Sequence, residues 1–172
     1  MIFGEYFPNP AIFGTGPEAV ALVSPLGAMA VEALGTAILL FVIFVLTDRR
    51  HPLHTSAPLI PPIIGLTVAM LISVFAPLTQ AGWNPARDLG PRLVAFLAGY
   101  GSIAIPGPQG GFWIYLVGPL LGGLGGGLLY ERGVAPYLGV HSKVKHPERE
   151  RVSESQSARH AKFEPAVEGE SS

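Results

Sequence analysis

The sequence predicts an all-α transmembrane protein with three spanning helices, one re-entrant half-helix and a disordered C-terminal tail. Three observations carry this expectation. The chain has 172 residues, a mean hydropathy of +0.43 and only 13% charged residues, against about 25% in soluble domains. The charge is segregated, since 14 of the Lys, Arg, Asp and Glu residues lie from Glu131 onward. Three apolar runs also come close to the roughly 20 residues that a helix needs to cross about 30 Å of hydrocarbon.

Residues 1–23 read as a loop, because Pro8, Pro10 and Pro17 with Gly4, Gly14 and Gly16 break regular structure. Met1 to Pro10 have no basic stretch and no continuous apolar core, so they are not a secretory signal. The first span runs from Ser24 to Thr47 with Glu32 as its sole charge, and Asp48, Arg49, Arg50 and His51 end it. The second runs from about Ala57 to Ala76. Pro58, Pro61 and Pro62 sit at its start, where a missing amide costs least, and Pro77 is expected to close it. The third runs from Phe112 to Tyr130 and is stopped by Glu131, Arg132 and Gly133. Two regions follow: a membrane body over 1–133 and a tail over 134–172. From about Gly139 the tail is too polar to pack and is expected to be disordered.

Cysteine is absent, so disulfides and thiolate metal sites are excluded. The body holds no nucleophile–base pair and no metal cluster, so neither an enzyme nor a cofactor is expected. His51 and His54 flank a charged turn, and His141, His146 and His160 lie in the tail, so all five are expected in solvent. A net charge of −1 without a long basic run gives no reason for nucleic acid binding. Basic residues set orientation. Arg49, Arg50 and the tail are expected on the cytoplasmic side, and the opening segment, with no Lys or Arg before Ser24, on the outer side.

The stretch between Pro77 and Gly111 is not a plain loop. Asn84 is a good N-cap, Pro85 suits the first helical position, and the apolar run Leu93 to Leu97 follows. A helix from Asn84 to near Gly99 is too short to span. It is expected to dip into the bilayer and return, which requires its irregular backbone to be buried in protein or to line a cavity.

These residues reach a resemblance. Gly82-Trp83-Asn84-Pro85-Ala86-Arg87-Asp88-Leu89-Gly90-Pro91-Arg92 resembles the second signature loop of the major intrinsic proteins, the aquaporins and aquaglyceroporins. Tyr6-Phe7-Pro8-Asn9-Pro10 resembles the loop before their fourth helix. Ala30-Val31-Glu32, Thr36 to Leu39 and Leu46-Thr47-Asp48 resemble the fourth helix, Pro77-Leu78-Thr79 the end of the fifth, and Gly118-Pro119-Leu120 the sixth. The resemblance covers about Phe3 to Gly133. It implies the C-terminal half of an inverted-repeat bundle and a passive channel for small uncharged solutes: glycerol-like polyols, with water, urea and metalloid acids as further candidates.

The same resemblance assigns roles. Asn84, Pro85 and Ala86 form the pore motif at the midplane, and Arg87 is the filter arginine. The N-terminus of the half-helix carries about half a positive charge, which opposes cations. An arginine at a helix centre in lipid costs about 2.5–3.5 kcal/mol, so Arg87 is expected to face water or fixed carbonyls. Glu32 is expected to accept amides of the re-entrant loop, with Thr36, one turn later, assisting. Asp88 and Arg92, four apart, are expected to pair, and an Asp followed by a basic residue here resembles the glycerol-conducting branch. Ile72 and Ala81 align with the filter positions of the fifth helix and the loop. Together they imply a wider, less polar constriction than that of water-specific members. Gly118, Gly122 and Gly126 mark a close helix contact, read either as a contact with the other half of the fold or as generic tight packing.

The resemblance also implies a first half with its own Asn-Pro-Ala, whereas this sequence carries one such motif. The expectation is a truncated or mis-started reading frame or a gene remnant, and next a separately supplied first half. If complete, the family pattern implies a homotetramer in the plasma membrane. Two other classes stand beside the channel. One is a non-conducting membrane fragment or packing partner. The other is an ion-coupled carrier, which needs a titrating acid inside a span, and Glu32 is the candidate for it.

Overall fold

A computed structural model describes residues 4–51 and 57–141. His54, His146, His160 and the tail beyond residue 141 lie outside the described residues. Every regular element among the described residues is helical.

Two short helices, α1 (Pro10–Phe13) and α2 (Pro17–Ala21), occupy the opening segment that reads as a loop. Pro10 and Pro17, two of the prolines that argue against regular structure, instead start it. Each sits in the first helical turn, where the absent N–H has no partner to lose. Asn9 caps α1, its Oδ1 accepting from the Ala11 amide at 3.0 Å.

The three expected spans are present, and each is long and apolar enough to cross a membrane. The first, α3 (Pro25–Thr47), starts at the N-cap Ser24, whose Oγ accepts from the Gly27 amide at 3.0 Å. It ends at Asp48, whose carboxylate takes the Arg50 guanidinium at 2.7 Å and the Tyr130 hydroxyl. The Arg50 hydrogen bonds, with Tyr130 adding to them, hold the Asp48 carboxyl below the usual carboxylate range.

The second span, α4 (Ile60–Thr79), corrects one boundary, because Pro77 lies inside it and does not close it. A proline removes only its own amide bond, and the helix continues until Gln80 turns left-handed at φ 61°. The carbonyls of this last turn are then capped from outside. The Asn9 side-chain amide donates to the Ala76 carbonyl and the Asn9 backbone N–H to the Pro77 carbonyl, each at 3.0 Å.

The half-helix is α5 (Pro85–Ala95), followed by a π-helical turn at Phe96–Tyr100 in which Gly99 takes φ 91°. At about 1.5 Å per residue it is about 16 Å long, roughly half a hydrocarbon core. The third span, α6 (Gly111–Gly133), precedes α7 (Ala135–His141), which stands where the sequence reads as the start of a disordered tail. Ala135, Pro136, Tyr137 and Leu138 carry no charge, and Ala135 is buried.

The main packing is α3 against α6, with α4 on α3 and the half-helix on α6. A Cβ on Gly122 would collide with the Ala33 carbonyl, one on Gly126 with the Ala37 carbonyl, and one on Gly118 would lie 2.9 Å from Glu32 Cβ. The glycine ladder therefore seats α6 on α3 of this same chain, which is close packing within this half and not a contact with the other one. Gly122→Val should force these backbones apart and cost about 1–3 kcal/mol, seen as a lower Tm of the detergent-solubilised protein. An unchanged Tm would remove the seam from the account of packing.

Candidate pore-lining site at the half-helix mouth

The site is built around a strained backbone turn. Between the end of α4 and the start of α5, Gln80 and Ala81 take φ 61° and Trp83 takes φ 43°. Left-handed backbone at a residue with a Cβ costs roughly 1–2 kcal/mol each, so the surroundings must hold it.

Glu32 provides much of that hold. It is fully buried, and its two oxygens accept the Gly82 amide at 3.1 Å and the Trp83 amide at 2.6 Å. Such bonds to a carboxylate contribute about 1.5–3 kcal/mol each. Gly82 cannot be larger, since a Cβ there would lie 2.8 Å from Tyr115 Cδ1 and 3.0 Å from Glu32 Oε2. The Tyr115 hydroxyl in turn donates to the Thr79 carbonyl at 2.8 Å and ties α6 to the end of α4. Thr36 does not assist the carboxylate. Its hydroxyl donates to the Glu32 main-chain carbonyl at 2.8 Å, the usual back-bond of a threonine inside a helix.

Asn84 caps the half-helix. Its Oδ1 accepts from the Ala86 amide at 3.0 Å and the Arg87 amide at 3.3 Å. Asn84, Ala86 and Arg87 are exposed, and Pro85 is partly so. Arg87 is braced on the same turn: its Nη1 donates to the Ala81 carbonyl at 2.8 Å, and its Nη2 lies 2.8 Å from Glu5 Oε1. With the Arg87 side chain 56% exposed, that ion pair contributes at most about 1 kcal/mol. Its effect is to place a negative charge beside the guanidinium at the mouth.

Asp88 and Arg92 form no surface pair. Both are buried, with Arg92 Nε 2.6 Å from Asp88 Oδ2. Arg92 also donates to the Ala104 carbonyl at 3.1 Å and the Glu5 carbonyl at 2.5 Å, while Asp88 Oδ1 accepts the Glu5 amide at 2.8 Å. The Tyr6 ring covers the guanidinium, 5.4 Å from centroid to Cζ. Gly107, at φ +75°, and Gly4 leave the space that Arg92 fills, since a Cβ on either would collide with it. The opening segment, the half-helix and the loop before α6 thus meet on one buried arginine.

The structure brings Glu32, Asn84, Arg87 and the Ala81 carbonyl into one hydrogen-bonded set. Ile72 stands outside it, 46% exposed on α4. Ala81 departs from expectation. Its methyl is buried with Leu71 and Trp83, so what it presents to Arg87 is its carbonyl. The left-handed turn is the physical reason, because it swings the side chain behind the loop. Sequence reasoning missed Glu5 and Trp83. The signal for Glu5 was an acid in an opening segment whose only other charge is Glu18 and which holds no Lys or Arg.

The Major intrinsic protein family profile matches residues 12–130. The chain is 41% identical over 114 residues to a glycerol uptake facilitator protein of Haemophilus influenzae, covering 65% of this chain and 43% of that protein. It is 37% identical over 147 residues to a glycerol uptake facilitator protein of Pseudomonas aeruginosa, covering 84% and 52%. The solved aquaglyceroporin of Plasmodium falciparum superimposes with a TM-score of 0.62 at 26% identity, over 80% of this chain and 52% of that one. The chain thus spans about half the length of these relatives. The half-helix, its asparagine cap and the profile match together place this chain in the major intrinsic protein family, with the fold of part of an aquaporin.

Proposed function

We propose that this chain forms one half of the wall of a passive channel for small uncharged solutes, glycerol-like polyols first among them. The observation that carries the reading is the half-helix mouth. There the capping Asn84 and the braced Arg87 offer exposed donors beside a backbone turn whose Gly82 and Trp83 amides are taken by Glu32 and whose Ala86 and Arg87 amides are taken by the cap. A solute hydroxyl exchanges water for those donors, and the positive helix end with Arg87 opposes cations. Engagement of both Glu32 oxygens by amides leaves the carboxylate poorly placed for the proton or ion cycle that a coupled carrier needs.

The full passage needs a complementary half with its own Asn-Pro-Ala and lies in the lipid bilayer, with the tail on the cytoplasmic side of the plasma membrane and a homotetramer as the assembly. The test is stopped-flow light scattering on proteoliposomes, with the chain alone and with a complementary half. Faster glycerol re-swelling than in empty vesicles, unchanged by Na⁺, is expected in the second case. Equal kinetics in both cases would leave the chain as a non-conducting packing partner.

Glu5 adds a pH dependence. Burial raises its carboxyl above the ordinary value, against the lowering by Arg87, and Asp88 and Glu32 raise it further, while Arg92 opposes them. A raised carboxyl takes up its proton in the folded state first. Between the raised value and the ordinary value of 4.5 the folded state gains stability as pH falls. Over the same window Arg87 loses its counter-charge. Glycerol flux should change across that window in the unaltered chain and stay flat in Glu5→Gln. A titration surviving in Glu5→Gln would assign it elsewhere.

A further inference from the structure

The half-helix is mounted mainly on α6. On the side of α3 and α4, Glu32 holds the backbone of its mouth, and the side chain wedged there is Trp83, one residue before the asparagine cap. We propose that Trp83, seated on Gly35, fixes the height of the half-helix mouth and so sets the size of solute the passage admits. The inference rests on the channel reading and deepens it by naming a positioning pair.

Four observations carry it. The Trp83 ring is buried, and its edge meets the Phe75 ring of α4 at 6.2 Å and 87°. On the α3 side it lies directly on backbone. A Cβ on Gly35 would collide with Trp83 Nε1 and would lie 2.6 Å from Cε2 and 2.8 Å from Cδ1. The buried Nε1–H has no acceptor among the described residues. An unpaired buried donor is unfavourable, so the ring supplies shape and contact area here, not a hydrogen bond. Finally, the residue is rigidly coupled to the cap. Its backbone sits at φ 43°, its amide is fixed on Glu32, and Asn84 follows directly.

A ring clamped between Gly35 and Phe75 cannot rise or sink without carrying Asn84 and the carbonyls of Ala81 and Gly82 with it. There is room for such movement. Trp83, Asn84 and Thr36 border an open cavity of about 450 Å³ between α3 and α6. The wedge is therefore what separates this mouth from a displaced one.

The test uses the full chain in lipid vesicles with its complementary half, in a Trp113→Phe background. Trp113 is 57% exposed and distant in sequence from the mouth, so Trp83 becomes the sole indole of this chain, and the complementary half is used with any tryptophan of its own replaced by phenylalanine. Gly35→Ala should shift Trp83 emission to the red, increase its quenching by acrylamide and lower glycerol flux about tenfold through overpacking. Adding Trp83→Met, a flexible side chain that yields to the new methyl, should restore flux to within about threefold. Trp83→Ala should raise the flux of a five-carbon polyol relative to glycerol. Unchanged Trp83 emission in Gly35→Ala would overturn the contact. Shifted emission with an unaltered polyol-to-glycerol ratio in every variant would overturn the control of size while leaving the channel intact. Absence of glycerol flux from the unaltered chain would strike the channel reading itself, and the emission arm would still report whether the ring sits on Gly35.

Discussion

Arg92→Met is expected to destabilise the protein by about 3–5 kcal/mol, the cost of leaving a buried carboxylate without its partner. The partner left behind is Asp88, 2% exposed, which would keep only the Glu5 amide as a hydrogen-bond donor of those described. The loss would extend to the Glu5 and Ala104 carbonyls, both of which use Arg92. Because these belong to three different segments, the opening segment and the loop before α6 should loosen together. The measurement is the fraction of protein surviving heating in detergent, read by size-exclusion chromatography, with limited proteolysis to locate the loosened segment. Replacing both partners, Asp88→Leu with Arg92→Met, should recover part of the loss, since no uncompensated charge remains. A double variant no better than Arg92→Met would show that the carbonyl contacts matter more than the ion pair.

Glu32→Ala should be the second large effect, about 3 kcal/mol or more from two lost charge-assisted bonds. The Gly82 and Trp83 amides have no other acceptor among the described residues, and the left-handed turn they hold is already strained. The turn should relax, releasing Arg87 from the Ala81 carbonyl. Glu32→Gln separates the contributions. Its carbonyl oxygen replaces one of the two carboxylate oxygens, each of which holds one amide, while its NH₂ faces the other amide as donor to donor. It should therefore fall between the native protein and Glu32→Ala, both in heat survival and in glycerol flux. A Glu32→Gln protein indistinguishable from native would remove the carboxylate from the support of the loop.

The spans were legible because hydropathy and length report transfer from water into hydrocarbon, which is local in sequence. Ser24 and Asn84 were legible as caps for the same reason: a cap is completed within three residues. Pro77 was misread because a proline shows only which amide is missing. Whether a helix survives depends on what caps its carbonyls, and here that is Asn9, 67 residues away in sequence. The Asp88–Arg92 spacing was legible and its burial was not, since burial depends on Tyr6, Gly4 and Gly107 closing over the pair.

The sequence by itself determined the membrane class, the three spans, the half-helix and the residue types at its mouth. Each follows from short-range patterning that no partner can alter. Only the tertiary structure decided what those residues face. It turned the Ala81 methyl behind the loop, set Glu5 against Arg87 across 82 positions and seated Trp83 on Gly35. The reason is geometric. Three left-handed residues between α4 and α5 redirect successive side chains and carbonyls. Such a turn is stable only when distant groups bind it, so its form is written in the contacts and not in the local pattern.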